Sequence, residues 1–319
     1  MFSEKKSLKA LIERDELLVM PGGFSPYYAR MAEETGFEAF FLAGSQMSWM
    51  LYGVPDVGLL GMRDVAAHAR AIAQASNIAL LIDGDTGYGN AIGVHYAVRE
   101  FAATGASGVQ FEDQEAPKKS GTGGGRRCIS VEEAVGKYKA AIAARNEFDP
   151  DFAIVARCDA IGAEGESFES AIERCAAYLT DGGADIVWLN SVTTLDEVER
   201  ACAAIPGPVL CTWGGRPGGT PTAEQFADAG LRVLMFPTIT ASIGAQATWQ
   251  VLHNLAAEGT KALDDWSGQV AAGSAPGLRS VDLVGLSGIS ELERQFLPNT
   301  LQRDYGSTFG SFSGSDRPD

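Results

Sequence analysis

The sequence predicts an α/β protein built as a (β/α)8 TIM-type barrel, and three observations carry that prediction. From residue 17 onward, short apolar runs alternate with amphipathic segments of helical period, eight times over roughly 240 residues, the count and size of such a barrel. No Gly-x-Gly-x-x-Gly follows the first run, which disfavours the doubly wound sheet that the same alternation allows. Several runs end in ionisable or turn-forming residues, where parallel α/β folds gather their chemistry.

A helix over 8–12 precedes the first strand. Strands are expected at 17–20, 37–43, 78–83, 107–112, 152–157, 184–190, 208–212 and 231–236. Helices are expected near 25–35, 62–75, 91–103, 131–145, 167–180, 194–204, 222–229 and 240–257. The second run, Phe40-Phe41-Leu42, leads into Gly44-Ser45. The third, Ile78-Ala79-Leu80-Leu81-Ile82, is apolar throughout and reads as a strand buried on both faces; it ends in Asp83-Gly84-Asp85-Thr86-Gly87-Tyr88-Gly89. The fourth ends in Phe111-Glu112-Asp113, and the fifth runs from Ala153 into Arg157-Cys158-Asp159. The sixth ends in Trp188-Leu189-Asn190 and the seventh in Cys211-Thr212-Trp213. We expect a barrel over 1–258, a C-terminal helical segment over 259–302, and a disordered Gly/Ser-rich tail over 303–319.

With 319 residues, 45% hydrophobic and 21% charged, the chain suits one large globular domain. A formal net charge of −16 argues against nucleic acid or an anionic membrane surface as partner. Met1–Lys6 lacks an apolar signal region and no stretch is long enough to span a bilayer, so a cytoplasmic location is expected. The cysteines number five and lack any C-x-x-C pairing, which favours reduced thiols over disulfides or a zinc site. His68, His95 and His253 fall within helix candidates, away from the strand ends, so none is expected to act as general base.

Asp83 and Asp85 beyond a buried strand suit a hard divalent cation; the alternative is that they only shape the turn and cap the next helix. Two glycine-rich loops follow the fourth and seventh strands, Lys118–Arg127 and Gly214–Gly219. The first has no Walker spacing. Its four cations and glycine hinges describe a lid that closes on an anion, mobile until an anion gives those cations a partner.

These motifs resemble the isocitrate lyase/phosphoenolpyruvate mutase superfamily. The matching pieces are Gly44-Ser45, Gly53-Val54-Pro55-Asp56, Asp83–Gly89, Glu112-Asp113-Gln114, Lys118-Lys119 and Arg157-Cys158-Asp159-Ala160. They stand in family order across residues 20–250, and Ile289–Glu293 is similar to the tail of family members. The resemblance implies Mg²⁺, with Mn²⁺ as the alternative, held directly by Asp83 and through water by Asp56, Asp85 and Glu112. It also implies Arg157 as a clamp on a substrate carboxylate, with the N–H groups of Ser45 and Gln46 binding an enolate oxygen. Asn190 and Thr212 would line the substrate, and Glu112, Arg157, Lys119 and Ser120 would serve catalysis. The implied reaction is C–C cleavage of a 2-hydroxy or 2-oxo carboxylate through a metal-bound enolate, in a homotetramer whose C-terminal segment packs on or exchanges with a neighbouring subunit.

The chain departs from the family lyases where they carry a lid cysteine acting as acid and a histidine; the aligned residues here are Ser120 and Thr122. A hydroxyl is a poorer proton donor than a thiol. Decarboxylation or hydrolysis of an oxaloacetate-like acid therefore stays open as an alternative, with phosphonopyruvate hydrolysis or phosphoenolpyruvate mutation further behind.

Overall fold

The computed structural model describes residues 5–121, 123–214, 219–269 and 283–303. The expected tail, beyond Arg303, lies outside the described residues, as do Thr122 of the lid and residues 215–218 of the second glycine-rich loop.

Eight parallel strands form a closed barrel in sequence order. They are β1 (Leu18–Gly23), β2 (Ala39–Leu42), β3 (Ala79–Asp83), β4 (Gly108–Glu112), β5 (Ala153–Cys158), β6 (Ile186–Leu189), β7 (Val209–Thr212) and β8 (Val233–Phe236). Closure comes from β8 against β1, with Met235 opposite Met20. Each expected strand is present, and the helices between them occupy Pro26–Glu34, Met62–Ala75, Ala91–Ala102, Val131–Phe148, Phe168–Thr180, Leu195–Ala204, Ala223–Asp228 and Ile239–Glu258.

Side chains alternate across each strand, so the barrel has two apolar layers. Phe41, Leu81, Val155, Ile186, Leu210, Val233 and Met235 fill the inside. Phe40, Leu42, Leu80, Ile82 and Ile154 pack outward under the helices. The short helix Leu8–Ile12, capped by Ser7, buries Leu8, Leu11 and Ile12 in the inner cluster and so closes the amino-terminal end.

One element was not expected. After β2 the chain turns directly into a short helix, Gly44–Gln46, that widens into a π-helix over Met47–Tyr52 and ends at Gly53 with φ 64°. Gly44-Ser45 is thus a helix start rather than a loose turn.

The chain divides into two compact units, residues 1–245 and 246–319. The helix Ile239–Glu258 begins in the first and continues into the second. In the second unit, helices Lys261–Gln269 and Leu286–Phe296 are followed by a single 3₁₀ turn, Asn299–Leu301. Its own ties are short-range, such as Arg303 N–H on Glu293 Oε2 at 2.8 Å.

Candidate active site at the carboxyl end of the barrel

The alternation that packs the barrel also selects the site. The inward positions that carry Leu81, Val155, Ile186 and Leu210 recur two residues later as Asp83, Arg157, Trp188 and Thr212, and Glu112 follows Gln110 in the same way. Register then sets the neighbours: Asp83 lies opposite Gln110, Glu112 opposite Arg157, and Arg157 opposite Trp188.

Asp83 is 6% exposed and fully engaged by the protein. Its Oδ2 accepts from Gly44 N–H at 2.9 Å, and its Oδ1 accepts from Asp85 N–H at 3.2 Å and from the Gln110 amide. Gly44 must be glycine here, because a Cβ would press on the Asp83 carboxylate at 3.0 Å. Of the two expected amides, Gln46 is spent elsewhere: its N–H goes to Ala43 O at 3.2 Å and its side chain to Thr238 O at 2.9 Å. Gly44, not Gln46, aims its N–H into the site because the helix starts at Gly44. Ser45 is half-buried in the same turn.

Asp56, Asp85 and Glu112 meet around one ammonium, that of Lys118. Its Nζ is 3.0 Å from Asp56 Oδ1 and 3.8 Å from Glu112 Oε1, and it is ion-paired with Asp85 Oδ1; the lysine side chain is 2% exposed. Of the two lid lysines, the one that enters among the acids is Lys118, whereas the catalytic expectation fell on Lys119. Lys119 is exposed and turns its Nζ onto the lid's own carbonyls, Gly125 O at 2.8 Å and Gly124 O at 3.3 Å. Ser120 joins a turn through its carbonyl, which accepts from Gly123 N–H at 2.7 Å.

Burial pushes the Glu112 carboxyl up to about 8 against the pull of Arg157 and Lys118, and the Asp85 carboxyl up to about 6 against Lys118 with Asp83 and Asp56 adding to the rise. For Lys118, burial pulls downward, and Glu112, Asp85, Asp83 and Asp56 together hold the ammonium well above its ordinary value.

Arg157 is fixed on three sides. Its Nη1 is 3.0 Å from Glu112 Oε2, its Nε donates to Asp159 Oδ1 at 3.0 Å, and its guanidinium lies 4.3 Å over the Trp188 ring. The fourth side is covered by Gly121, where any Cβ would collide with Arg157 Nη2. Asp159 is the hub beneath: it also accepts from the Asn190 amide, and from Gln114 Nε2 at 2.6 Å. Asp113, one layer out, accepts from Tyr178 O–H at 2.6 Å and from Asp159 N–H at 2.8 Å.

The lid lies over this group through the protein's own contacts. Lys119 N–H donates to Gln114 Oε1 at 3.1 Å, Asn190 Nδ2 donates to Gly121 O at 2.9 Å, and Arg126 donates to Gly121 O and Ile161 O. Arg127 pairs with Glu164 at 3.0 Å. In this conformation each of the lid cations has a protein partner. Cys128 points away, its thiol donating to Asp113 Oδ1 at 3.7 Å, with burial and Asp113 pushing it well above the ordinary thiol range. Thr212 ends β7 half-buried. Of the aromatics near the mouth, Trp213 is buried against Phe226, ring centroids 5.1 Å apart, whereas Trp49 and Tyr52 are exposed on the π-helix.

Gln110, Gln114, Asp159 and Trp188 were not foreseen as site residues. Gln110 and Trp188 carry a signal, since a polar amide or a hydrogen-bonding indole on the inward face of a buried strand is out of place in a plain core.

A closed parallel barrel with acids and a clamped arginine at its carboxyl end is an enzyme's architecture. The chain belongs to the phosphoenolpyruvate phosphomutase family, whose model matches residues 8–256, within the superfamily that includes isocitrate lyase. It is 38% identical over 256 residues to a 2-methylisocitrate lyase of Aeropyrum pernix, covering 80% of each chain. It is 35% identical over 294 residues to a 2,3-dimethylmalate lyase of Eubacterium barkeri, covering 91% of this chain and 96% of that one. Among solved structures, a phosphonopyruvate hydrolase in complex with oxalate and Mg²⁺ matches with a TM-score of 0.75 at 29% identity, covering 91% of this chain and 98% of that one. Among the described residues, no helix is long and apolar enough to cross a membrane.

Proposed function

We propose that this carbon–carbon lyase cleaves a 2-hydroxy or 2-oxo carboxylate with the help of a divalent cation, Mg²⁺ or Mn²⁺. The observation that carries the reading is the set of four carboxylates, Asp56, Asp83, Asp85 and Glu112, gathered beside Arg157 under one lid. The donor set fits a hard cation, because it offers only oxygen ligands, and Asp85 Oδ1 and Glu112 Oε2 are buried with only cations beside them, Lys118 and Arg157. Among the described residues, no three such side chains already stand in metal-holding geometry; the Lys118 ammonium takes the space between three of them. Asp83, Asp85, Asp56 and Glu112 would hold the ion, which when bound would supply Lewis-acid stabilisation of the negative charge developing on substrate oxygen.

The chain's own residues do the rest. Asp159 and Trp188 hold the Arg157 guanidinium in one plane, so that once Gly121 lifts, its free edge can grip a substrate carboxylate in bidentate fashion. Gly44 N–H, at the start of the helix after β2, holds the Asp83 carboxylate in one orientation. The lid then excludes water from the carbanionic fragment.

The same reading makes the protein a cytoplasmic homotetramer. Trp249, Leu252, Leu292 and Phe296 stand more than half exposed on the second unit's helices, an apolar surface that association would cover. Sedimentation as a monomer at micromolar concentration would contradict it.

The activity is tested with a panel of 2-hydroxy and 2-oxo acids assayed with Mg²⁺ and after chelation. Two carbon fragments are the expected products; release of CO₂, or of acetate with oxalate, would move the reading to decarboxylation or hydrolysis. Full turnover after chelation would remove the metal from it.

A further inference from the structure

The turn after β3 holds its shape against backbone preference. Asp85 and Tyr88 both lie in the left-handed region, at φ 50° and 58°, and Gly87 and Gly89 join them at 91° and 137°. A residue with a Cβ stays there only where its surroundings hold it, because the Cβ crowds the following carbonyl oxygen. Asp85 belongs to the proposed metal set, and its carboxylate meets those of Asp56 and Glu112. Relaxing its φ would turn that carboxylate away from the others.

On the barrel side the turn is tied by backbone bonds, Gly84 N–H on Gln110 O and Glu112 N–H on Asp85 O, each at 2.9 Å. Between them, Thr86 O is held from outside the barrel, by the Lys137 ammonium at 3.0 Å. Lys137 sits in the helix Val131–Phe148 and is 5% exposed. Burial lowers its basicity, with Glu133, Asp113 and Glu112 pulling the other way. A lysine placed for packing alone would bear that desolvation for nothing, since methionine fills the same space. The next residue of the helix, Tyr138, gives its hydroxyl to Phe111 O at 3.1 Å and Arg157 O at 3.3 Å, so one helix braces the ends of three strands.

We propose that Lys137 is a positioning residue for the metal acids: it pins Thr86 O and so keeps Asp85 in its left-handed conformation, with its carboxylate aimed into the site. It acts through Asp85 and lies one layer behind it, where a partner of a metal-holding residue typically sets about 10–100-fold in metal affinity.

This inference rests on the metal reading above, and its test separates the two. Mn²⁺ affinity is measured by calorimetry on the full chain, on the neutral variants Lys137→Met and Lys137→Gln, and on Lys137→Arg, which keeps a charged donor. The neutral variants should bind Mn²⁺ about 10–100-fold more weakly, and Lys137→Arg should recover most of the loss. Hydrogen exchange without metal should quicken over residues 84–90 in the neutral variants and keep its native rate along the helix Val131–Phe148. Unchanged Mn²⁺ affinity in the neutral variants overturns the positioning role and leaves the metal site standing. Weaker binding in all three variants, with exchange raised along the whole helix, overturns it in favour of a structural role. No Mn²⁺ binding by the unaltered protein overturns the metal reading and this inference with it.

Discussion

The two ends of the barrel are built from the same strands and treat charge in opposite ways. At the amino-terminal end, Leu8, Leu11 and Ile12 close the interior with apolar contact, and the charges around it, such as Arg14 and Glu38 at 3.0 Å, are partly exposed and worth about 0–1 kcal/mol. At the carboxyl end Glu112, Arg157, Asp159 and Lys118 are buried together, each paying a desolvation penalty that its partners offset. One end is arranged for stability and the other for chemistry, so substitutions at the two ends should fail in different ways.

The largest effect is expected at Asp83. Asp83→Ala should bring turnover to background, a loss beyond the about 10²–10³ of a single electrostatic donor, with a lowered thermal midpoint because the buried Gln110 amide and the Gly44 N–H lose their acceptor. A variant with turnover intact would break the contrast at its centre. Arg157→Lys comes next: a point charge cannot replace the planar fork held by Asp159 and stacked on Trp188, and kcat/KM should fall by about 10²–10³. At the other end, Leu11→Ala should cost about 2–5 kcal/mol of stability and leave kcat per folded molecule unchanged; denaturant unfolding beside initial rates checks both halves. The smallest effect is expected at Ser120, which enters the structure through its carbonyl. Ser120→Ala should alter kcat by far less than the about 10²–10⁴ of a positioned acid, and a larger loss would restore the catalytic role the sequence suggested.

The same contrast explains what the sequence disclosed. Strand positions were legible because buried parallel strands read as apolar runs, and Asp83, Glu112, Arg157 and Asn190 were legible because a polar residue ending such a run has few structural reasons to be there. Alternation by two residues would also have flagged Gln110 and Trp188. The lid was not legible at this level. Lys118 and Lys119 are chemically identical and adjacent, and only the path of the chain past Gln114 and Gly58 decides which one turns inward. Of the two amides expected to bind an enolate oxygen, that of Gln46 is drawn into the helix for a similar reason: the helix begins immediately after β2, and nothing in Gly44-Ser45-Gln46 marks the first turn.

The closed amino-terminal end also dictates traffic. With Leu8, Leu11 and Ile12 below and the inner strand residues packed above them, the barrel has no through-passage, and both cleavage products must leave by the opening through which the substrate came. On the proposed reading, the fragment whose carboxylate Arg157 holds would be the last to leave. Added back in initial-rate assays, that fragment should inhibit competitively against substrate and its partner noncompetitively, a kinetic signature written by an apolar helix at the far end of the barrel.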